Sequence, residues 1–532
     1  MKNKQSVLLH RYIRKLFING SVSAIIFLIA AGVVYAQKAT IKVDILRPIG
    51  AIDRNIYGVF MEPIMNSMDG LLYDPEHPLA NEDGFRTDYI EAARELQLPN
   101  MRWPGGNYTL TYNWKDGVGP VENRPVRREL AWNVLDRNRV GTDEWLQLAE
   151  AMGVENSICI NVTTATLEDN RNWIEYVNSP TGSHYADLRA EYGHPEPYGV
   201  KYWHIGNEVD GEPWQAVALS SEEYVTYAKD VTTIMYFVNR GCKTCTQPVF
   251  IVMGSSWVTH NGEPANWPLW NWDVIDGLIT QSNVEYIAMH RYWGTGLNNE
   301  IENDRAPHVF LGDWERHFND YISTTENQIK VAKIKNHVPD KPFYIAFTEW
   351  GLRGQNHMST LAGALHFNTF LRHADYVKRA NFTMFTSLLS RGRDGQTYKS
   401  PFFYMYKLYS KNVKGTSLDT YVDCETFDGE VYKDIPYLDV SSAYSEDEKT
   451  LVVNVINRNM EKAITADVIS DTGEFSGAAE INTINSDDVE ATYTVNDRDS
   501  YQPATSTLET EGDSFTYSFP AHSFTQIRVA IE

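Results

Sequence analysis

The chain of 532 residues contains only four cysteines, Cys159, Cys242, Cys245 and Cys424, too few to staple a fold of this size. Its architecture must therefore rest on buried apolar surface and not on a disulfide scaffold. Cys242 and Cys245 form a lone C-x-x-C with no second pair, which leaves a zinc ion short of ligands and favours a local disulfide in a surface loop. There is no P-loop, no G-x-G-x-x-G, no H-E-x-x-H and no G-x-S-x-G. Phosphate cradling, zinc-dependent proteolysis and nucleophile-elbow hydrolysis thus lack their signatures. Ser445-Glu446-Asp447-Glu448 lacks the spacing of a calcium loop and reads as solvated surface. Positive charge is scarce, with 47 Lys+Arg against 70 Asp+Glu and a net charge of -23. From Thr416 onward 24 acidic residues face 6 basic ones, which leaves the remainder of the chain at only -5. The acidity belongs to the C-terminal part, and it argues against nucleic acid as a partner. No tryptophan occurs after Trp350, while all 14 lie between Trp103 and that residue. An aromatic-rich part is followed by an aromatic-poor appendage.

Residues 1–36 carry Lys2, Lys4, Arg11, Arg14 and Lys15 ahead of an apolar run from Ser21 to Val34, closed by the small residue Ala36. This is the pattern of a signal peptide for export to the periplasm, cell surface or medium, with an uncleaved membrane anchor as the alternative. From 56 to 415, eight strand-like runs alternate with longer segments: Ile56–Phe60, Asn100–Trp103, Ser157–Val162, Val200–Ile205, Val249–Met253, Val284–Met289, Phe343–Phe347 and Asn381–Ser387. Ser220 with Glu223 has the spacing of a capping box, followed by Tyr224, Ala228, Val231, Met235 and Val238 at helical intervals. Tyr89, Ile90, Ala93 and Leu96 form a second helical stripe, stopped by Pro99. Eight strands with helices between them predict an α/β (β/α)₈ TIM barrel. Over 416–532 the period changes to two, as in Phe515, Tyr517 and Phe519, which predicts a C-terminal antiparallel β-sandwich. Residues 37–55 hold one further strand-like segment, Thr40–Ile45, expected to join that sandwich.

In such a barrel the chemistry lies at the C-terminal ends of the strands. Those ends carry Glu62, Asn107, Thr163, Asn207, Glu208, Ser255, Ser256, His290, Tyr292, Glu349 and Ser387. A single Glu at a strand end is more often an ion-pair partner or a cap. Two of them, Glu208 after strand four and Glu349 after strand seven, lie on facing staves and form the pair that glycosidic cleavage requires. Carboxyls roughly 5–5.5 Å apart favour retention of configuration by double displacement. The charge of the nucleophile keeps its neighbour protonated, and loss of that charge in the glycosyl intermediate frees the neighbour to act as base. Trp103, Trp214, Trp257, Trp293 and Trp350 lie at or beyond strand ends, where indole rings offer stacking surface for sugars. His290 is either a structural histidine or one that orients a carboxylate. Asp210 reads as a residue that shapes its loop.

The segments "GFRTDYIEAARELQLPNMRWPGGNYTLTYNWKDGVGP", "GHPEPYGVKYWHIGNEVDGEPWQ" and "IAFTEWG" resemble glycoside hydrolase family 51, whose members are mostly α-L-arabinofuranosidases. The resemblance implies a retaining exo-glycosidase that releases terminal arabinofuranose from a polysaccharide or oligosaccharide, with no metal and no organic cofactor. It implies Glu208 as acid/base, Glu349 as nucleophile, and Asn207 as the amide that contacts the sugar 2-hydroxyl. It further places Glu62 and Asn107 against the furanose, and His290 and Tyr292 near the nucleophile. Members are often oligomers, so a homo-oligomer is compatible. The chain departs from the family pattern at Pro63 after Glu62, at Thr348, Gly351 and Arg353 around the nucleophile, and at Asn381, where a sugar-lining Gln is usual. These departures leave open another specificity on the same barrel, an endoglucanase, a xylanase or a hydrolase of another furanose or algal sugar. A non-catalytic carbohydrate-binding protein is the alternative from a different class.

Overall fold

A computed structural model describes residues 38–532 apart from 65–66, 211–217, 257–258, 261–262, 265, 293–305, 353–355 and 394. The expected signal segment at 1–36 lies outside the described residues, as do Trp214, Trp257, Trp293 and Arg353. Among the described residues no helix is long and apolar enough to cross a membrane.

Eight parallel strands close a barrel: β1 (Gly58–Phe60), β2 (Asn100–Trp103), β3 (Glu155–Ile160), β4 (Tyr202–Ile205), β5 (Val249–Met253), β6 (Val284–Tyr292), β7 (Tyr344–Gly351) and β8 (Val377–Thr383). Each strand pairs with its neighbours in sequence, and β8 closes on β1 through Asn381 opposite Gly58. The capping box forms as read, with the Ser220 hydroxyl accepting from Glu223 N at 3.2 Å and opening the helix Ser221–Val238. Thr87–Leu96 is likewise helical, and it buries Tyr89, Ile90, Ala93 and Leu96. Two strand expectations shift. Arg54–Tyr57 forms a 3₁₀ turn ahead of β1, and the eighth strand is Val377–Thr383, while Phe385–Ser387 is a 3₁₀ turn. Lys378 and Arg379 hid that strand from a hydrophobicity reading. Arg379 is buried against the Tyr202 ring at 4.3 Å and faces Glu155 at 3.6 Å.

The C-terminal part is two sheets enclosing an apolar layer that includes Ile41, Val43, Val453, Val468 and Ile527. One difference from the expected antiparallel sandwich is that Ala39–Asp44 pairs in parallel with Ile464–Thr472, since this strand enters from ahead of the barrel. Ala443, Val452, Ile456 and Phe524, on the opposite face of the larger sheet, belong to the barrel's own core cluster. That shared apolar surface holds the two parts together. Cys242 and Cys245 form the local disulfide.

Candidate active site

The end of β4 turns through Gly206, Asn207 and Glu208. Gly206 has φ 84°, and a Cβ there would fall 2.5 Å from Val162. Glu208 itself is held at φ 43°, a left-handed conformation that costs a non-glycine residue free energy. Such a backbone persists only where its surroundings hold it. The side chain is pinned accordingly: Oε1 lies 2.8 Å from His290 Nδ1, and Oε2 accepts from Asn107 Nδ2 at 3.5 Å.

Across the barrel, Glu349 sits inside β7. Its Oε1 accepts from Arg102 Nη1 at 2.8 Å and its Oε2 from the Tyr292 hydroxyl at 2.6 Å, with His290 Nδ1 3.8 Å away. Pairing with β6 slips here, because Met289 faces Phe347 whereas His290 faces Glu349, which leaves Thr348 as an extra residue. A bulge of this kind breaks strict alternation of side chains. Thr348 Oγ1 therefore reaches the same imidazole as its neighbour, 2.8 Å from His290 Nε2. Glu208, His290 and Glu349 each bring one ligand atom to within 4.8 Å of the others. These three are the residues that could hold a divalent ion, although the Arg102 guanidinium already supplies positive charge beside Glu349.

Burial raises the Glu349 carboxyl, but the imidazole of His290, the guanidinium of Arg102 and the hydroxyl of Tyr292 outweigh it, leaving the group below the usual carboxylate range. Burial pushes His290 down to about 4, with Arg102 adding to the effect against the opposing pull of Glu349, so the imidazole is neutral at physiological pH. Glu62 moves the other way. Burial and the nearby charge of Glu349 push it up to about 8, against the N–H groups of Tyr108 and Trp132 that donate to its Oε1, each at 2.8 Å. Gly106 is required beside it, since a Cβ there would lie 2.2 Å from Glu62 Oε2.

This raised value has a consequence for stability. Folded Glu62 keeps its proton up to about pH 8, whereas the unfolded carboxyl releases it near its ordinary 4.5, so stability falls as pH rises through that window. Denaturant midpoints measured from pH 5 to 8 should decline less steeply for Glu62→Gln than for the parent. Parallel slopes in the two proteins would refute the assignment.

The structure brings Glu62, Asn107, Asn207, Glu208, His290, Tyr292 and Glu349 together at one end of the barrel. Asn207 is fully buried, donating to Asn107 Oδ1 at 3.3 Å and accepting from Arg102. Other strand-end residues are structural: Thr163 donates to Leu110 O, and Ser255 and Ser256 donate to Asp210, each at 3.1 Å or less. Asp210 thus shapes the loops. Asn381 lies deeper in the barrel, donating to Val59 O at 2.8 Å and Asn100 Oδ1 at 2.7 Å, and lines no sugar site. Trp103 and Trp350 are not stacking platforms either. Both are 0% exposed, Trp103 stacked on Trp145 at 5.6 Å and Trp350 packed against Phe382 at 5.0 Å. Arg102 and Trp132 are site residues that the sequence reading missed. For Arg102 a signal existed, a lone cation inside the four-residue strand Asn100–Trp103.

Family models match in two stretches, the Alpha-L-arabinofuranosidase 1 domain over residues 92–231 and the Alpha-L-arabinofuranosidase C-terminal domain over residues 340–523. The chain is 33% identical over 448 residues to the Intracellular exo-alpha-(1->5)-L-arabinofuranosidase 1 of Bacillus subtilis, covering 79% of this chain and 85% of that protein. It is 34% identical over 520 residues to the Probable alpha-L-arabinofuranosidase C of Aspergillus clavatus, covering 92% and 97%. The alpha-L-arabinofuranosidase of Thermotoga maritima, solved as an arabinose complex, superposes with a TM-score of 0.80 at 27% identity over 92% of this chain and 99% of that one. A closed parallel barrel that carries two buried carboxylates close together on its fourth and seventh strands has the site of a glycoside hydrolase. Within that class, the chain belongs to the α-L-arabinofuranosidases of glycoside hydrolase family 51.

Proposed function

We propose that the protein releases terminal α-L-arabinofuranose from a polysaccharide or oligosaccharide by double displacement, with Glu349 as nucleophile and Glu208 as acid/base. The observation that carries this is the approach of the two carboxylates, each offering an oxygen within 4.8 Å of the other. That spacing suits a covalent glycosyl intermediate and leaves no room for a water between acid and base on opposite faces of the sugar. Two carboxylates this close do not both ionise cheaply, and Arg102 stabilises the charge on Glu349, so the shared proton resides on Glu208. Glu208 gives it to the departing oxygen as Glu349 attacks the anomeric carbon. In the second half, Glu208 takes a proton from the incoming water, which displaces Glu349. Asn207, Asn107 and Glu62 face the furanose hydroxyls. Hydrolysis of 4-nitrophenyl α-L-arabinofuranoside followed by proton NMR tests this reading. The α-anomer should appear first; initial β-anomer excludes retention, and cleavage of glucan or xylan alone excludes arabinose.

Thr348 is part of the same mechanism as a positioning residue. Both carboxylates face His290 Nδ1, which places the imidazole proton there and leaves neutral Nε2 to accept from the Thr348 hydroxyl. With that tautomer fixed, Glu208 Oε1 accepts a hydrogen bond in both halves of the cycle, and the proton it transfers stays on Oε2. Thr348→Val should lower kcat/KM on arabino-oligosaccharides about 10-fold, the cost of one unpaired buried acceptor, while Thr348→Ser restores it. An activated dinitrophenyl leaving group should be affected far less. Equal losses on both substrates would mean that Thr348 serves packing only.

The leader at 1–36 supports export, although the Bacillus subtilis relative is named intracellular. Mass spectrometry of protein recovered outside the cytoplasm should give an N-terminus near Gln37; protein found only in the cytoplasm with residues 1–36 intact excludes export. A homo-oligomer is proposed from the family alone.

A further inference from the structure

Between β2 and the helix Thr142–Met152 the chain forms a hairpin whose ladder is two pairs long, Arg127 with Asp136 and Arg128 with Leu135. So short a ladder does not hold its own turn in water. The turn also leaves apolar side chains in solvent, with Leu130 61% and Leu135 63% exposed, so burial of these leucines does not fix it either. Yet it carries Trp132, whose indole N–H donates to Glu62 Oε1 at 2.8 Å.

The fastening is Glu129, which is 4% exposed. Its Oε1 accepts from Ala131 N at 2.7 Å and its Oε2 from Trp132 N at 2.6 Å, while its own N–H donates to Val134 O at 2.9 Å and closes the turn. Asn133 supplies the left-handed conformation of the reversal, at φ 53°. A carboxylate that accepts from two successive N–H groups sets the direction of both peptide planes, and with them the bond from which the Trp132 side chain departs. The receiving end is fixed as well. Glu62 Oε1 takes a second donor, Tyr108 N, at 2.8 Å, and the Tyr108 hydroxyl donates to Asp136 in the hairpin ladder. Two N–H groups on Oε1 orient the Glu62 carboxyl and leave Oε2 for a furanose hydroxyl. We infer that Glu129 is a positioning residue for the furanose site: its carboxylate shapes the turn that aims the Trp132 indole at Glu62, and through that indole it holds Glu62 for the sugar. The inference rests on the arabinofuranosidase reading above.

The test is a double-mutant cycle of Glu129→Ala with Trp132→Ala, read as kcat and KM on 4-nitrophenyl α-L-arabinofuranoside. Trp132→Ala should raise KM about ten-fold or more, and Glu129→Ala about five-fold or more, each with kcat changed less than about two-fold, because the lost hydrogen bond lies away from the reacting carbon. The double variant should match Trp132→Ala within about two-fold, since Glu129 then has no indole to aim. The cycle is repeated with Glu129→Gln, matched in size, whose carbonyl oxygen keeps one of the two N–H partners; its loss should be smaller and should again vanish in the Trp132→Ala background. Losses that multiply in the double variants, or a Glu129→Ala protein with the KM of the parent, overturn the positioning role and leave Glu129 as a support of its loop alone. A parent enzyme without activity on the aryl furanoside removes the arabinofuranosidase reading and this inference with it, whereas an active parent with multiplying losses removes only this one.

Discussion

With Glu349 as the proposed nucleophile, Glu349→Gln should lower kcat by at least about 10⁴-fold and leave the protein folded, because the reaction would lose its nucleophile and with it the two-step path. Glutamine matches the side chain in size, and its carbonyl oxygen can still accept from Arg102, so the buried guanidinium is not stranded. A smaller replacement, Glu349→Ala, opens space beside the anomeric carbon for an external anion. Azide should then restore part of the turnover and give a β-configured glycosyl azide, since one displacement inverts the centre. Circular dichroism and thermal midpoints check the fold, and the anomer of the azide checks the assignment. Turnover near that of the parent, or an α-azide, would move the nucleophile to another residue.

Removing the proton donor has a different signature. Glu208→Ala should reduce kcat/KM on arabino-oligosaccharides by about 10³-fold or more, within the range of general acid catalysis, because the departing sugar is too basic to leave unprotonated. On a 2,4-dinitrophenyl furanoside, whose leaving group needs no proton, the first step should be nearly preserved. The intermediate would then accumulate, as a burst of dinitrophenolate followed by slow turnover. Azide should speed that second step, giving an α-azide by a second inversion. Loss of equal size on both substrates, without a burst, would contradict the acid/base role. These opposite azide anomers separate two carboxylates that otherwise look alike.

The two carboxylates proposed to bear the chemistry were legible because they sit next to strong local signals. Glu208 follows a buried apolar run and a glycine, and Glu349 ends a similar run, so strand counting assigns them to the fourth and seventh staves, although these lie three staves apart and not directly opposite. Other features were hidden by tertiary context. Arg379 and Lys378 sit in β8, where charge masks a strand because the barrel interior pairs Arg379 with an aromatic face and a carboxylate. Trp103 and Trp350 had the composition of a sugar platform but pack into the core, since a strand end has two faces and the pattern does not say which one an indole takes. Trp132 reaches Glu62 from far along the chain, a contact that no local period announces.

The sequence by itself determined the barrel, the strand-rich C-terminal part, the paired carboxylates and the family, because these follow from short-range periodicity and from motifs whose residues are adjacent in the chain. Only the tertiary structure decided that Glu349 lies below the usual carboxylate range, since that depends on His290 and Arg102 arriving from other strands. It alone put Thr348 and Glu349 on one imidazole, through a one-residue slip in the pairing of β6 with β7. Electrostatics and close packing act through space, and the distances that set them, 2.8 Å between Arg102 and Glu349 among them, join residues 247 positions apart.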